Sequence, residues 1–102
     1  MLSPEEKLKR QALKQAARQA ECDSVRASLP IPVVQMRAMF DFIDQQLRES
    51  ECDNTLRHTL LFLSQNKLGA GPVIHWLEEN HGYCDCEVLA NTEERFIEAF
   101  PD

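Results

Sequence analysis

Residues 32–49, "PVVQMRAMFDFIDQQLRE", constrain the fold more than any other stretch of the chain. Met36, Phe40, Ile43 and Leu47 recur at intervals of four, three and four residues, and Val33, Met39 and Phe42 widen the stripe. That spacing puts them on one side of a helix, and an apolar stripe of this width has to be covered by other elements. Pro32 suits a first helical position, while Pro30 and Pro32 together impose extended backbone on the residues before it. The pattern therefore predicts a helix from Pro32 to about Glu49, against which the rest of the chain must pack.

The remaining elements follow from weaker signals. At the N-terminus Ser3 can cap a helix, Pro4 suits its first position and Glu6 completes a capping box. Ala, Lys, Arg and Gln then favour helix to about Arg26. Its apolar stripe is thin (Leu8, Ala12, Ala16 and Ala20, with Leu13 to one side), so this helix is predicted to project or to dock weakly. "ESECDNT" interrupts the pattern, and Asp53 or Asn54 is the expected cap of a third helix reaching about Asn66, lined by Leu56, Leu60 and Leu63 with Phe62 flanking. "NKLGAGP" offers a glycine stop and a proline start. The fourth helix, "PVIHWLEEN", then turns Val73, Trp76 and Leu77 inward and ends at Gly82.

"YCDCEVLA" alternates like a strand, with Cys84, Cys86 and Val88 on the apolar side and Asp85 and Glu87 turned to water. A strand needs a partner for its backbone groups, and "SLPIP", whose prolines suit a sheet edge, is the other extended stretch. Asn91 and Glu94 read as a capping box ahead of "ERFIEAF", with Phe96, Ile97 and Phe100 as its apolar side. The predicted fold is mainly α. It is a small helical domain of four to five helices with one short extended segment at about 84–89, at most part of a two-stranded patch. Phe40, Ile43, Leu47, Leu60, Leu63 and Trp76 are its expected core.

Charge divides the chain in two. Residues 1–28 carry six basic side chains against four acidic ones, a net of +2, whereas residues 29–102 carry five against thirteen, a net of −8. This suggests a basic, Ala-rich helical arm over 1–26 and an acidic helical domain over 27–102. A body at −8 repels phosphate backbones, which argues against nucleic acid as a partner. The apolar runs are too short to span a bilayer and the first residues carry no apolar stretch of a secretory signal, so the expected compartment is the cytoplasm. In a reducing compartment Cys22, Cys52, Cys84 and Cys86 are expected to be thiols or metal ligands and not disulfides.

"ASLP" at 27–30, "MRAMFDFIDQQL" at 36–47, "CDNTLRHTLLFL" at 52–63 and "YCDCEVLANTEERF" at 83–96 resemble a bacterial family, domain of unknown function 2695. The resemblance covers most of the chain from about Ala27, and "CDCEVLAN" is its most specific piece. It implies a small intracellular bacterial protein and no particular activity. Members of that family often carry histidine two residues after the first cysteine. Here Asn54 stands at that position, and His58 lies one helical turn later.

Chemistry concentrates in the cysteines. A zinc reading gathers Cys52, Cys84 and Cys86 with one histidine, His58 being best placed and His81 or His75 the alternatives, since zinc favours four such ligands in a tetrahedron. No CxxC pair supports it, and Asn54 favours a metal-free state. A disulfide between Cys84 and Cys86 on an extended segment would stretch the bond to its limit, and Asp85 and Glu87 would dull the thiols. The competing reading is that these are small buried apolar side chains. His75 beside Trp76 reads as a packing residue. No glycine-rich phosphate loop and no Ser-His-Asp pattern appears, so no catalytic residue is assigned and the balance leans away from an enzyme. Two functions remain from this reading. The first is a non-enzymatic interaction or adaptor module, binding an unidentified protein or a second copy through its arm, with no cofactor. The alternative is a zinc- or thiol-based sensor or enzyme centred on Cys52, Cys84 and Cys86.

Overall fold

The computed structural model describes residues 4–101, with side chains from residue 6. The Ser3 cap lies outside the described residues. Helix α1 spans Pro4–Ser28, α2 Val33–Glu49, α3 Arg57–Gln65 and α4 Ala70–Glu79. A short turn α5, Asp85–Glu87, runs into a π-helical turn at Val88–Thr92 and then into α6, Glu93–Ala99. The fold is mainly α, and among the described residues there is no strand.

The second helix is placed as its periodicity requires. Met36, Met39, Phe40 and Ile43 are buried, and Leu47 is partly buried against the same core. Phe40 meets Phe96 of α6 with ring centroids 5.2 Å apart, and Phe42 meets Phe62 of α3 at 5.7 Å. Tilted ring pairs at these distances add to the area they bury. From α4, Val73, Trp76 and Leu77 close the core, as expected. The indole N–H of Trp76 donates to Ser28 Oγ at 3.1 Å, which ties α4 to the end of α1.

Most of α1 stands clear of this body. Leu8 and Leu13 are exposed, and the longest dimension of the molecule is 54 Å against 27 and 23 Å for the others. Its last turns dock: Val25 is buried and Cys22 half-buried against the core. Arg26 donates to the carbonyl of Ala99 at 2.6 Å and lies over the Phe100 ring, while Arg37 reaches the carbonyl of Phe100 at 3.3 Å. Two guanidinium groups thus serve the carbonyls left over at the end of α6, where the helix dipole favours positive charge.

Several sequence expectations are corrected here. The segment 84–89 is not extended: Cys84 alone has extended backbone, and helix begins at Asp85. "SLPIP" consequently has no strand to pair with. Leu60 is 42% exposed and is not a core residue; Thr59, Phe62 and Leu63 turn inward in its place. Neither Asp53 nor Asn54 caps α3. The carboxylate of Asp53 accepts from Thr55 N and Thr55 Oγ1 within the preceding turn, and Asn54 takes the left-handed conformation (φ 68°) that asparagine tolerates. Asn91 does not cap α6, because helix already runs through it; its side chain donates to the carbonyl of His81. Ile97 is exposed and Ala99 is buried in its stead. His75 is not packed inside but exposed, bridged to Glu79 at 2.9 Å.

Both tight helix ends use a left-handed residue other than glycine. Lys67 (φ 54°) ends α3, with Lys67 N bonded to the Ser64 carbonyl and Leu68 N to that of Leu63. His81 (φ 64°) ends α4 in the same way, with His81 N on Glu78 and Gly82 N on Leu77. These paired bonds satisfy the orphan carbonyls of each helix. Gly82 is required for another reason. A Cβ there would lie 2.5 Å from Thr92 Oγ1 and 3.1 Å from Val88 Cγ2.

Candidate metal centre

Helix α3 starts at Leu56-Arg57; Thr55 Oγ1 accepts from Arg57 N at 3.3 Å, but Leu56 offers no capping oxygen for the next two N–H groups. The acceptor comes from 26 or 27 residues away. Asp85, only 1% exposed, accepts from His58 N at 2.9 Å, from Thr59 N at 3.1 Å and from the Thr59 hydroxyl at 2.7 Å. Its own N–H donates to the carbonyl of Thr55 at 2.9 Å. A carboxylate at the second and third N–H groups of a helix satisfies orphan donors and meets the positive end of the dipole. Asp85 was expected to face water. Its burial follows from this work as a cap, because a buried carboxylate is tolerable only when its oxygens are hydrogen-bonded.

Asp85 sits between Cys84 and Cys86, so the bonds that pin it to α3 also carry two thiols to the corner where α2 gives way to α3. Cys52 occupies that corner. The three sulfurs all lie within 4.8 Å of one another, and those of Cys84 and Cys86 are 3.3 Å apart. All three are free thiols, with Cys84 buried, Cys52 half-buried and Cys86 exposed. Cys86 was expected to point inward with Cys84. Successive side chains turn by about 100° in helix and not by 180° as in a strand, which leaves Cys86 at the lip of the cluster.

The thiols are not equivalent. Burial pushes the Cys84 thiol up to about 12, reinforced by its sulfur neighbours and by Glu87, against a smaller opposing effect of the Glu87 N–H. Cys52 goes the other way. Burial acts to raise it, but the backbone N–H groups of Cys86 and Asn54 and the two neighbouring thiols outweigh that and hold it below the ordinary thiol value. Asn54 N lies 3.4 Å from the Cys52 sulfur. Cys52 is therefore the sulfur best suited to carry charge, and Cys84 the one that keeps its proton until something displaces it.

Neither His58 nor His81 belongs to the cluster. The His58 ring is buried with Nε2 3.5 Å from Ser50 Oγ, and His81 is fixed in the left-handed turn after α4. Sequence reasoning brought the three cysteines together but missed Asp85, whose contacts lie 26 and 27 residues away and leave no local signal.

The family profile described as "protein of unknown function (DUF2695)" matches residues 39–91, just over half of the chain, including all three cysteines. The chain belongs to the DUF2695 family. The chain is similar to an uncharacterized protein of Mycobacterium bovis and to uncharacterized proteins of two Mycobacterium tuberculosis strains, CDC 1551 and H37Rv. Each is 33% identical over 97 residues, which is 95% of this chain and 98% of the relative. No solved structure matches this DUF2695 chain. Among its described residues, no helix is long and apolar enough to cross a membrane.

Proposed function

We propose that this DUF2695 protein binds a thiophilic metal ion, zinc foremost, through Cys52, Cys84 and Cys86, and acts as a small metal-responsive module. The observation that carries this reading is the convergence of three free thiols within 4.8 Å from two segments more than thirty residues apart in sequence. A zinc ion with Zn–S bonds of about 2.3 Å in a tetrahedron holds its sulfurs about 3.8 Å apart. The Cys84–Cys86 pair lies about 0.5 Å inside that value and no pair of sulfurs exceeds 4.8 Å, so the thiols need to move by about 1 Å or less. Soft thiolate donors favour zinc or monovalent copper over magnesium or calcium. Asp85 gives the site its consequence: the residue between two ligands caps α3, so occupancy would stiffen the α2–α3 corner. This reading takes the place of the packing role that cysteines often fill, because Cys86 is exposed and buries little.

The test is elemental analysis of protein purified without chelator, together with zinc titration followed by thermal unfolding. One zinc per chain is expected, lost in both Cys84→Ser and Cys86→Ser. Zinc at about a hundredfold over its dissociation constant should add about 2.7 kcal/mol of stability. Protein that takes up no zinc, and whose melting is unmoved by it, overturns the reading.

A further inference from the structure

Three thiols leave a zinc ion one donor short of the four it takes in a closed tetrahedral site. The side chain placed to supply the fourth is Glu87. Its Oε1 accepts from Cys84 Sγ at 3.4 Å. In a tetrahedral site with Zn–S of about 2.3 Å and Zn–O of about 2.0–2.1 Å, a coordinated oxygen stands about 3.6 Å from each sulfur. The carboxylate is thus already at ligand distance from one of the three. It lies outside the tight triangle of sulfurs, and Glu87 is only half-buried, so rotation about its side-chain torsions can bring it over the ion. Glu87 also lines an open cleft of about 480 Å³, together with His81 and Tyr83.

We infer that Glu87 is the fourth, displaceable ligand of a zinc-class divalent ion, and that the cleft beside it is the route by which the ion enters and an exchanging ligand reaches it. This inference rests on the proposed three-thiol site. Its chemistry follows from the donor set. A carboxylate oxygen is a hard ligand that zinc accepts alongside sulfur, while monovalent copper is content with soft thiolates and gains little from it. Glu87 therefore selects the divalent ion. It also makes the site exchangeable. The three thiolates are anchored through Cys52 and the buried Asp85, but the fourth ligand swings from a half-exposed stem and opens toward the cleft. Loading releases the thiol protons to water and leaves the oxidation state of the ion unchanged.

The experiment uses the full chain loaded with cobalt(II) as a spectroscopic stand-in for zinc, with zinc affinity measured by competition against a chromophoric chelator. The wild-type protein is expected to give the intense visible bands of four-coordinate cobalt and sulfur-to-cobalt charge transfer for three thiolates. Glu87→Gln and Glu87→Ala should each weaken zinc by at least about tenfold, equivalent to about 1.4 kcal/mol, and leave copper(I) affinity unchanged. Added imidazole should shift the cobalt spectrum in Glu87→Ala, where water otherwise takes the fourth position, and leave that of the wild type unchanged. Glu87→Cys should keep four-coordinate cobalt and raise the charge-transfer intensity in the proportion of four thiolates to three. Zinc affinity and cobalt spectra that are the same in wild type, Glu87→Gln and Glu87→Ala overturn the role of Glu87 and leave the three-thiol site standing. Failure of the wild-type chain to bind cobalt or zinc at all overturns both.

Discussion

Replacing Asp85 by alanine probes the junction on which both the fold and the thiol cluster depend. The carboxylate accepts three hydrogen bonds in a site that excludes water. Truncation leaves the N–H and hydroxyl of Thr59, a residue with no exposure at all, without their acceptor. Each buried donor left unsatisfied costs about 1–3 kcal/mol, and loss of the charge at the helix start adds about 0.3–1 kcal/mol. These costs overlap, and water can enter at the vacated carboxylate, so a total of about 3–5 kcal/mol is expected for Asp85→Ala. Asp85→Asn keeps one oxygen acceptor but turns an amide N–H₂ toward donors, which should cost about 1–3 kcal/mol. Against a domain stability of about 5–15 kcal/mol, the alanine variant approaches unfolding. Urea denaturation, followed by circular dichroism and by fluorescence of the buried Trp76, measures both. Each kcal/mol should appear as a shift of about 4–8 °C in thermal melting. Asp85→Asn should also weaken zinc although no ligand has changed, because Cys84 and Cys86 are positioned through it. A loss below about 1 kcal/mol for Asp85→Ala would refute the reasoning, since α3 would then be held by something other than this cap.

At Gly82, alanine is expected to cost about 1–3 kcal/mol, the usual range for overpacking, because its Cβ would press on Thr92 Oγ1, which is committed to the carbonyl of Asn80 at 3.0 Å. Denaturation of the double variant checks the cause: Thr92→Ala should be less harmful in the Gly82→Ala background than in wild type, and strict additivity would exclude the clash. The carboxyl of Glu93 is raised above its ordinary value by burial and then by Asp44 and Asp41. A carboxyl whose folded value lies above its unfolded one favours the folded state at acid pH, and that contribution is lost as pH rises through the folded value. Glu93→Gln should therefore melt slightly higher than wild type at pH 7, by no more than about 0.5 kcal/mol. The advantage should vanish below about pH 4, and an unchanged difference across that range would count against it.

What could be read in the sequence depended on whether the deciding interaction was local. The stripe of α2 repeats over four turns, so Met36, Phe40 and Ile43 were placed correctly from spacing alone. The third helix is short, and its rotation about its own axis is set by Asp85 gripping His58 and Thr59. No local pattern reports that contact, and Leu60 was accordingly assigned to the core in place of Phe62. "CDCEVL" offered an alternation of a few residues, too short to separate a strand from a helix start. What tipped the balance was a buried carboxylate whose partners lie 26 and 27 residues back. The meeting of Cys52 with Cys84 and Cys86 was legible because it required only that the apolar side of that segment cover the α2–α3 corner. The sulfurs do meet, but by another route: Asp85 and not Cys86 turns inward, and Cys86 reaches the cluster from the exposed side.

The π-helical turn at Val88–Thr92, closed by Glu93 N on the carbonyl of Val88, holds one residue more than an α-helical turn would. That residue works as a phase shifter. It offsets the rotation of α5 relative to α6 by about 100°, the angle of a single residue in an α-helix. Upstream of it Asp85 points at the start of α3, and downstream Phe96 points at Phe40, so the extra residue sets the angle between these two directions. The segment therefore counts residues. Substitution within it changes packing by degrees, but the loss of one residue would rotate one aim away from its target while every remaining side chain kept its chemistry.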